Sequence, residues 1–268
     1  MPDTEQAWQE VCSYMKYHCA VELRPDQSYL LDGRLGSVSK ELGFATVGQF
    51  VARAVKSTPT SLEGGRLVDA MTTHESYFFR DDSFWHVMET TILPSLLEKS
   101  SKPVVIWCAA ASTGQEPYSL AMLIEEKWAQ AASRVTILGT DVSDGAIKTA
   151  NEAVYTSLEV NRGLSALRVV RHFEQVKGGF RVKALLRNRV RFERHNLMSP
   201  QVAQTRCSLI LCRNVLIYFS EVDKQAVLRR LTDAVDHGGY VGLGTSEKCP
   251  LPQVAPGWFR KPTYLKSL

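Results

Sequence analysis

None of the 268 residues belongs to an unbroken apolar run of the roughly 20 positions a membrane-spanning helix needs. The N-terminus, MPDTEQAWQEV, carries acids where a secretory leader would carry basic residues followed by an apolar core. A cytosolic protein with no direct membrane insertion is expected. The six cysteines, Cys12, Cys19, Cys108, Cys207, Cys212 and Cys249, include no CxxC pair and mostly sit in apolar runs. That argues against a zinc ribbon or a disulfide framework and for buried reduced thiols. A net charge of +4 is too small to point to nucleic acid. There is no internal repeat and no low-complexity tract, and neither a Ser–His–Asp-like set nor a metal-binding cluster stands out.

The residues that are present read as two regions. Over 4–19, Trp8, Val11, Cys12, Met15 and Cys19 fall on one helical face. LLDGRLGSVSKELG places Leu31, Leu35, Val38 and Leu42 at helical spacing, Thr46 can cap VGQFVARAVKS, and SLEGGRLVDAM repeats the pattern less clearly. The first 70 or so residues therefore predict a small helical bundle. DDSFWHVMETTILPSLLEKS then reads as a helix interrupted near Pro94. Beyond it, short apolar strands alternate with helices: VVIWC, a helix from Pro117, TILGTD, a helix over 143–153, LILC, a helix over about 221–235, and YVGLG. That alternation predicts right-handed crossovers and a mostly parallel sheet. HFEQVKGGFRVKALLRNRVRFERHNL interrupts it, and its GG and RN steps with the alternation in FRVK and RVRF predict a small antiparallel insertion.

The run AAASTGQEP after the first strand is the most informative stretch. A parallel strand that ends in small residues and opens a helix makes a shelf on which a ligand can lie against the backbone. Pro117 suits a first helical position, where its missing N–H is harmless. Glu116 at the shelf's edge disfavours a phosphate, because an anion needs the helix N-terminus to itself. Gly114 is the only glycine there, so the dinucleotide fingerprint GxGxxG is absent. Asp141 ends TILGTD, where Rossmann-type folds commonly keep an acid for ribose hydroxyls. A ligand with a ribose, a cationic centre and no pyrophosphate is implied, and S-adenosylmethionine has those parts. The alternative is that Glu116 and Asp141 only cap the helices that follow them.

TTHESYFFRD (72–81), WCAAASTGQEPYSLAM (107–122), GTDVSDGAIKTANEAVY (139–155) and CRNVLIYF (212–219), followed by GLGTSE (242–247), together resemble the CheR-type chemotaxis receptor methyltransferases. Enzymes of that family transfer a methyl group from S-adenosylmethionine to glutamate side chains on the cytoplasmic helices of chemoreceptors. The resemblance implies an α/β fold: a Rossmann-like methyltransferase domain over 73–268 with a β-subdomain inserted at about 173–194, preceded by an all-α domain over 1–72 that is a docking candidate. It implies S-adenosylmethionine as cofactor and S-adenosylhomocysteine as product. The partner would be the cytoplasmic helical domain of a chemoreceptor, met by a monomer that needs no nucleic acid.

The same resemblance assigns cofactor contacts. Arg80 would pair with the cofactor's carboxylate, and Glu116 would face its amino or sulfonium end. Asp141 would take the ribose, Asn196 and Leu197 would lie near the adenine, and Asn214 and Val215 would lie beside the methionine moiety. His74 and Ser76 stand where the family usually has Asn and Thr. Gln115 replaces a second Glu, and Ser208 replaces an Asp. No catalytic base is expected, because a glutamate is already ionised near neutral pH. The basic residues Arg181, Lys183, Arg187, Arg189, Arg191 and Arg194 form a candidate receptor-docking face, with Arg53 and Lys56 of the N-terminal helices a second one. Two rival functions have their own signatures. An amino methyltransferase for bases would carry an Asn/Asp-Pro-Pro-aromatic step where this chain has RNVL, and a silent cofactor-binding regulator would bind without turnover.

Overall fold

The computed structural model describes residues 4–98, 101–204, 206–244 and 247–261. Four helices come first: α1 (Thr4–Cys19), α2 (Leu30–Glu41), α3 (Val47–Ala54) and α4 (Leu62–Met71). Their apolar stripes meet in a core of their own, built from Trp8, Val11, Met15, Leu35, Phe50, Val51, Leu67 and Met71. The cap expected at Thr46 forms, and Ser61 supplies a second. Thr46 Oγ1 accepts the Gln49 N–H at 3.2 Å, and Ser61 Oγ accepts that of Gly64 at 3.2 Å. Gly64 is required by packing, since a Cβ there would lie 2.1 Å from the Thr58 carbonyl oxygen.

α5 (Asp82–Val87) and α6 (Leu93–Leu97) follow, joined by one wide π turn over Met88–Ile92. The interruption expected at Pro94 is thus absorbed by loosening the preceding turn, with the axis continuing. The α/β region then runs β1 (Val104–Ala109), α7 (Gln115–Lys127), β2 (Val135–Asp141), α8 (Asp144–Glu152), β3 (Val154–Tyr155), α9 (Ser157–Asn161), α10 (Ala166–His172), β4 (Phe173–Val176), β5 (Gly179–Val182), α11 (Ala184–Arg187), β6 (Val190–Arg194), β7 (Cys207–Cys212), α12 (Glu221–Ala234), β8 (Val235–Leu243), β9 (Gln253–Ala255) and β10 (Trp258–Arg260).

The main sheet has the order β6-β2-β1-β7-β8-β10-β9. Neighbours from β6 to β8 are parallel, and β10 pairs antiparallel with both β8 and β9. From β1 the chain winds outward to β2 and β6, then returns to lay β7 and β8 on the other side. That reversal opens a crevice at the carboxyl ends of β1, β2 and β7, where ligands of such sheets bind. The ends are level: Ala109 pairs with Thr140, and Cys108 with Leu211.

The insertion differs from its expected limits of about 173–194. A three-stranded antiparallel sheet of order β3-β5-β4 begins already at Val154. The RVRF segment lies outside it, as β6, parallel to β2 at the edge of the main sheet. Val190 and Phe192 are buried there and Arg191 between them is exposed. Alternation reports one wet face and says nothing about which strand is the partner, so the pattern misled. All six cysteines are free thiols, four of them buried. Among the described residues no helix is long and apolar enough to cross a membrane.

Candidate active site

The small residues after β1 are small because the backbone turns tightly there. Ala110 (φ 59°), Ser112 (φ 52°) and Gly114 (φ 95°) all adopt the left-handed region, a cost of about 1 kcal/mol or more for each alanine or serine. Hydrogen bonds hold the turn: Ala111 N–H to Thr140 O (2.7 Å), Ser112 N–H to Asp141 Oδ2 (2.8 Å) and Gly114 N–H to Ala111 O (3.0 Å). A Cβ on Gly114 would come within 2.9 Å of the Ala150 Cβ. Helix α7 starts at Gln115, so Pro117 is its third residue and not its first. The missing N–H still falls in the first turn, where it has no helical partner to lose.

Asp141 ends β2 and is buried. Its Oδ1 accepts the Ser143 N–H at 3.0 Å and its Oδ2 that of Ser112. Burial pushes this carboxyl above the usual carboxylate range, although the N–H groups of Ser143, Ser112 and Val142 and the nearby His74 pull the other way. Glu116, second in α7, is paired: its Oε2 accepts Arg213 Nη1 at 2.9 Å. The same guanidinium donates to Asp81 Oδ2 (2.6 Å) and Arg80 O (3.1 Å) and lies 3.8 Å from the Phe84 ring centroid. With 3% of its side chain exposed, Arg213 is a buried hub between the shelf and the 80–81 turn.

His74 turns its Nε2 to Thr72 Oγ1 (3.0 Å) and Asp69 O (3.3 Å), against the end of α4. Arg80 reaches back to Glu75 O at 3.0 Å. Ser76 is half-buried on the same segment. The Asn196 carboxamide bridges two segments: Nδ2 donates to His18 O (2.5 Å) and Oδ1 accepts the Met198 N–H (2.9 Å). Leu197 is buried. Asn214 holds φ 58° at the end of β7, and Val215 beside it is half-buried. These elements meet around one cavity of about 590 Å³. All nine residues expected at the site, His74, Ser76, Arg80, Glu116, Asp141, Asn196, Leu197, Asn214 and Val215, line it.

Comparison with known proteins gives the family. Residues 74–262 match the family model described as CheR methyltransferase, SAM binding domain. The chain belongs to the CheR methyltransferase family. Chemotaxis protein methyltransferase 1 of Pseudomonas aeruginosa is 36% identical over 242 residues, 87% of each chain. Chemotaxis protein methyltransferase Cher2 of Pseudomonas putida is 33% identical over 240 residues, again 87% of each. Chemotaxis protein methyltransferase 1 of Vibrio cholerae is 33% identical over 248 residues, 91% of this chain and 90% of that one.

The cofactor of a CheR methyltransferase is S-adenosylmethionine, and the residues around the cavity suit it. The hydroxyl of Ser112 is buried at the wall without a hydrogen-bond partner in the protein, an atom that a polar ligand would satisfy. Glu116, Asp141, Arg80 and Arg213 bring charges of both signs to the lining, with Arg213 held between Glu116 and Asp81. Leu197, Val142 and Val215 supply apolar wall.

Sequence reasoning missed Arg213, Ser112 and Thr72, which line the cavity of this CheR methyltransferase, and Asp81, which pairs with Arg213. Arg213 stood in the quoted CRN motif, yet its partners lie far away in the chain, and no local signal names them. Reasoning also missed that the first helical unit walls the cavity. The Glu22 N–H donates to Tyr218 O at 2.8 Å, and Cys19 and Val21 line the same space. The basic run does not form one free face. Arg189 pairs with Glu125, and Arg191 with Glu193. Arg194 spans Pro59 O, Val142 O and Asp144, and Lys183 caps the carbonyls of Val170 and Arg171. Arg194 and Lys183 therefore fasten structure. Thr245 and Ser246 of the GLGTSE stretch lie outside the described residues.

Proposed function

We propose that the protein transfers the methyl group of S-adenosylmethionine to glutamate side chains of chemoreceptors, forming methyl esters in chemotaxis adaptation. The observation that carries this reading is the convergence of all nine expected residues on one cavity at the crevice of the sheet. The relatives, chemotaxis protein methyltransferases, supply the biological setting.

Asp141 accepts from the ribose hydroxyls with the oxygen lone pairs that Ser112 and Ser143 leave open. Glu116, steadied by Arg213, receives the ammonium group, and Arg80 pairs with the carboxylate. Leu197 lies along the adenine. Asn196 lies beside it, and its side chain keeps one N–H and one lone pair beyond its bonds to His18 and Met198. Asn214 and Val215 border the methionine moiety, and His74 and Ser76 close the side next to α4. When bound, the sulfonium supplies an electrophilic methyl group. The protein orients an already ionised glutamate toward it and keeps water out, which requires no general base. The substrate would be the cytoplasmic helical domain of a chemoreceptor, approached by a cytosolic monomer. The domain division at residue 72, with the β-subdomain as a module of its own, belongs to the same proposal.

Chemoreceptor-containing membranes incubated with methyl-labelled cofactor and the purified protein should acquire base-labile label on the receptor. Cofactor binding by calorimetry without receptor labelling would overturn the substrate assignment. Label that survives base would overturn the ester.

A further inference from the structure

Arg80 stands between two residues whose backbone takes a form that non-glycine residues seldom adopt, Phe79 at φ 52° and Asp81 at φ 68°. Such a turn persists only where its surroundings hold it. On the Asp81 side the hold is Arg213, which donates to Asp81 Oδ2 at 2.6 Å and to Arg80 O at 3.1 Å. On the Phe79 side there are two holds. The Phe79 N–H donates to the buried Ser119 Oγ at 3.0 Å, and that hydroxyl donates to Gln115 O at 2.7 Å. The Arg168 guanidinium lies over the Phe79 ring, 3.8 Å from its centroid. Arg168 belongs to α10, in the insertion. A forked pair with Glu126 fixes its place: Nε lies 3.1 Å from Oε1 and 3.2 Å from Oε2, and Nη2 lies 2.8 Å from Oε2. His172 Nε2 sits 2.8 Å from the same Oε1. Ser119 and Glu126 are about two turns apart on α7, so one side of that helix supports both holds on Phe79.

We propose that Arg168 is a positioning residue for the cofactor's carboxylate: from the insertion it pins Phe79 and so fixes the direction in which Arg80 enters the cavity. The proposal rests on reading Arg80 as the partner of that carboxylate. Arg168 and Glu126 stand behind the cavity lining, so Arg168 acts on the ligand only through the neighbour of Arg80. The aim of Arg80 thereby depends on the insertion staying seated on α7.

The test compares two ligands that differ at one end. 5′-Methylthioadenosine keeps the adenosine and thioether of S-adenosylhomocysteine and lacks its ammonium and carboxylate groups. Both are titrated into the full chain carrying Arg168→Met or Arg80→Ala, well below each melting temperature. Calorimetry reads S-adenosylhomocysteine, and ligand-observed NMR reads the weaker 5′-methylthioadenosine. Arg168→Met is expected to bind S-adenosylhomocysteine roughly tenfold more weakly, the effect of one misaimed charge-assisted hydrogen bond. It is expected to bind 5′-methylthioadenosine within about twofold of the unaltered protein. Arg80→Ala should show the same selectivity. Equal losses for the two ligands in Arg168→Met would overturn the proposal, as the mark of a residue that only holds the fold. Normal binding of both by Arg168→Met, beside weak S-adenosylhomocysteine binding by Arg80→Ala, would overturn it and keep the site. Normal S-adenosylhomocysteine binding by Arg80→Ala would overturn the carboxylate reading and the proposal with it. Should Arg168→Met fail to fold, Phe79→Leu removes the same contact from the other side and keeps an apolar side chain. The same selective loss is expected of it, and an unselective loss or none would overturn the proposal.

Discussion

Asp141→Asn is the sharpest probe of the cofactor site. Each carboxylate oxygen of Asp141 accepts one backbone N–H, from Ser143 at 3.0 Å and from Ser112 at 2.8 Å, and keeps a further lone pair for the cavity. Asparagine replaces one oxygen by N–H2. One charge-assisted bond to a ribose hydroxyl disappears, worth about 2 kcal/mol, so cofactor affinity should fall roughly 30-fold. The new N–H2 also faces a backbone donor, which costs the fold about 1–3 kcal/mol by itself. Part of that is offset. Burial raises the Asp141 carboxyl, so the folded state holds its proton more tightly than the unfolded chain does. Such a group favours folding below its unfolded pKa, and that contribution is lost as pH rises through the folded value. At neutral pH the native carboxylate therefore carries a burial penalty that asparagine removes. Calorimetric titration with S-adenosylmethionine measures the first effect, and thermal melts without ligand measure the second. Affinity within about twofold of the unaltered protein, with lowered stability, would refute the ribose assignment and leave Asp141 as a fastener of the shelf.

Other consequences can be checked in parallel. Glu126, near the end of α7, is held by Arg168 at 2.8 Å and His172 at 2.8 Å. Burial would raise its carboxyl, but these partners bring it down to about 2. A lowered acid stabilises the fold above its unfolded pKa and loses that as pH falls toward the folded value. Glu126→Gln should therefore cost about 2 kcal/mol near neutral pH, and it should flatten the loss the unaltered protein shows below about pH 4.5. Denaturant titrations across that range read both. Arg213→Met would leave Glu116 and Asp81 facing each other without their shared cation, and stability should drop by about 3 kcal/mol with cofactor binding weakened. An unchanged melt would refute the hub. Gly163→Ala would set a Cβ 1.8 Å from the Phe78 carbonyl oxygen at φ 99°. A loss of at least about 2 kcal/mol is expected, and a change under about 0.5 kcal/mol would show that the loop yields.

Much of this protein was legible in order along the chain. Helical spacing located α1 to α4, and the cap at Thr46 formed as its side chain allows. Strand–helix alternation foretold the parallel sheet, and the AAASTG run foretold the tight shelf beneath it. Each of these depends on neighbours within a few residues, where backbone geometry and side-chain spacing act directly. The failures have one cause. RVRF alternates as an antiparallel edge would, yet it pairs parallel with β2. Pro117 reads as a helix start, yet the helix begins two residues earlier because the left-handed turn at Gly114 ends sooner.

Partner choice is what only the tertiary structure decided. Glu116 was visible as an acid at a helix start, but Arg213 neutralises it from the end of a different strand. Asn196 was visible as a candidate for adenine, but the carbonyl of His18 in the first helical unit, which holds one of its N–H groups, was not. Burial selects such pairs, since a charge or amide removed from water must find its complement wherever the chain brings one close. The residue types expected to serve the cofactor were written in the sequence. Which of them remain open to it depended on contacts between residues far apart in the chain, and sequence spacing carries no record of those.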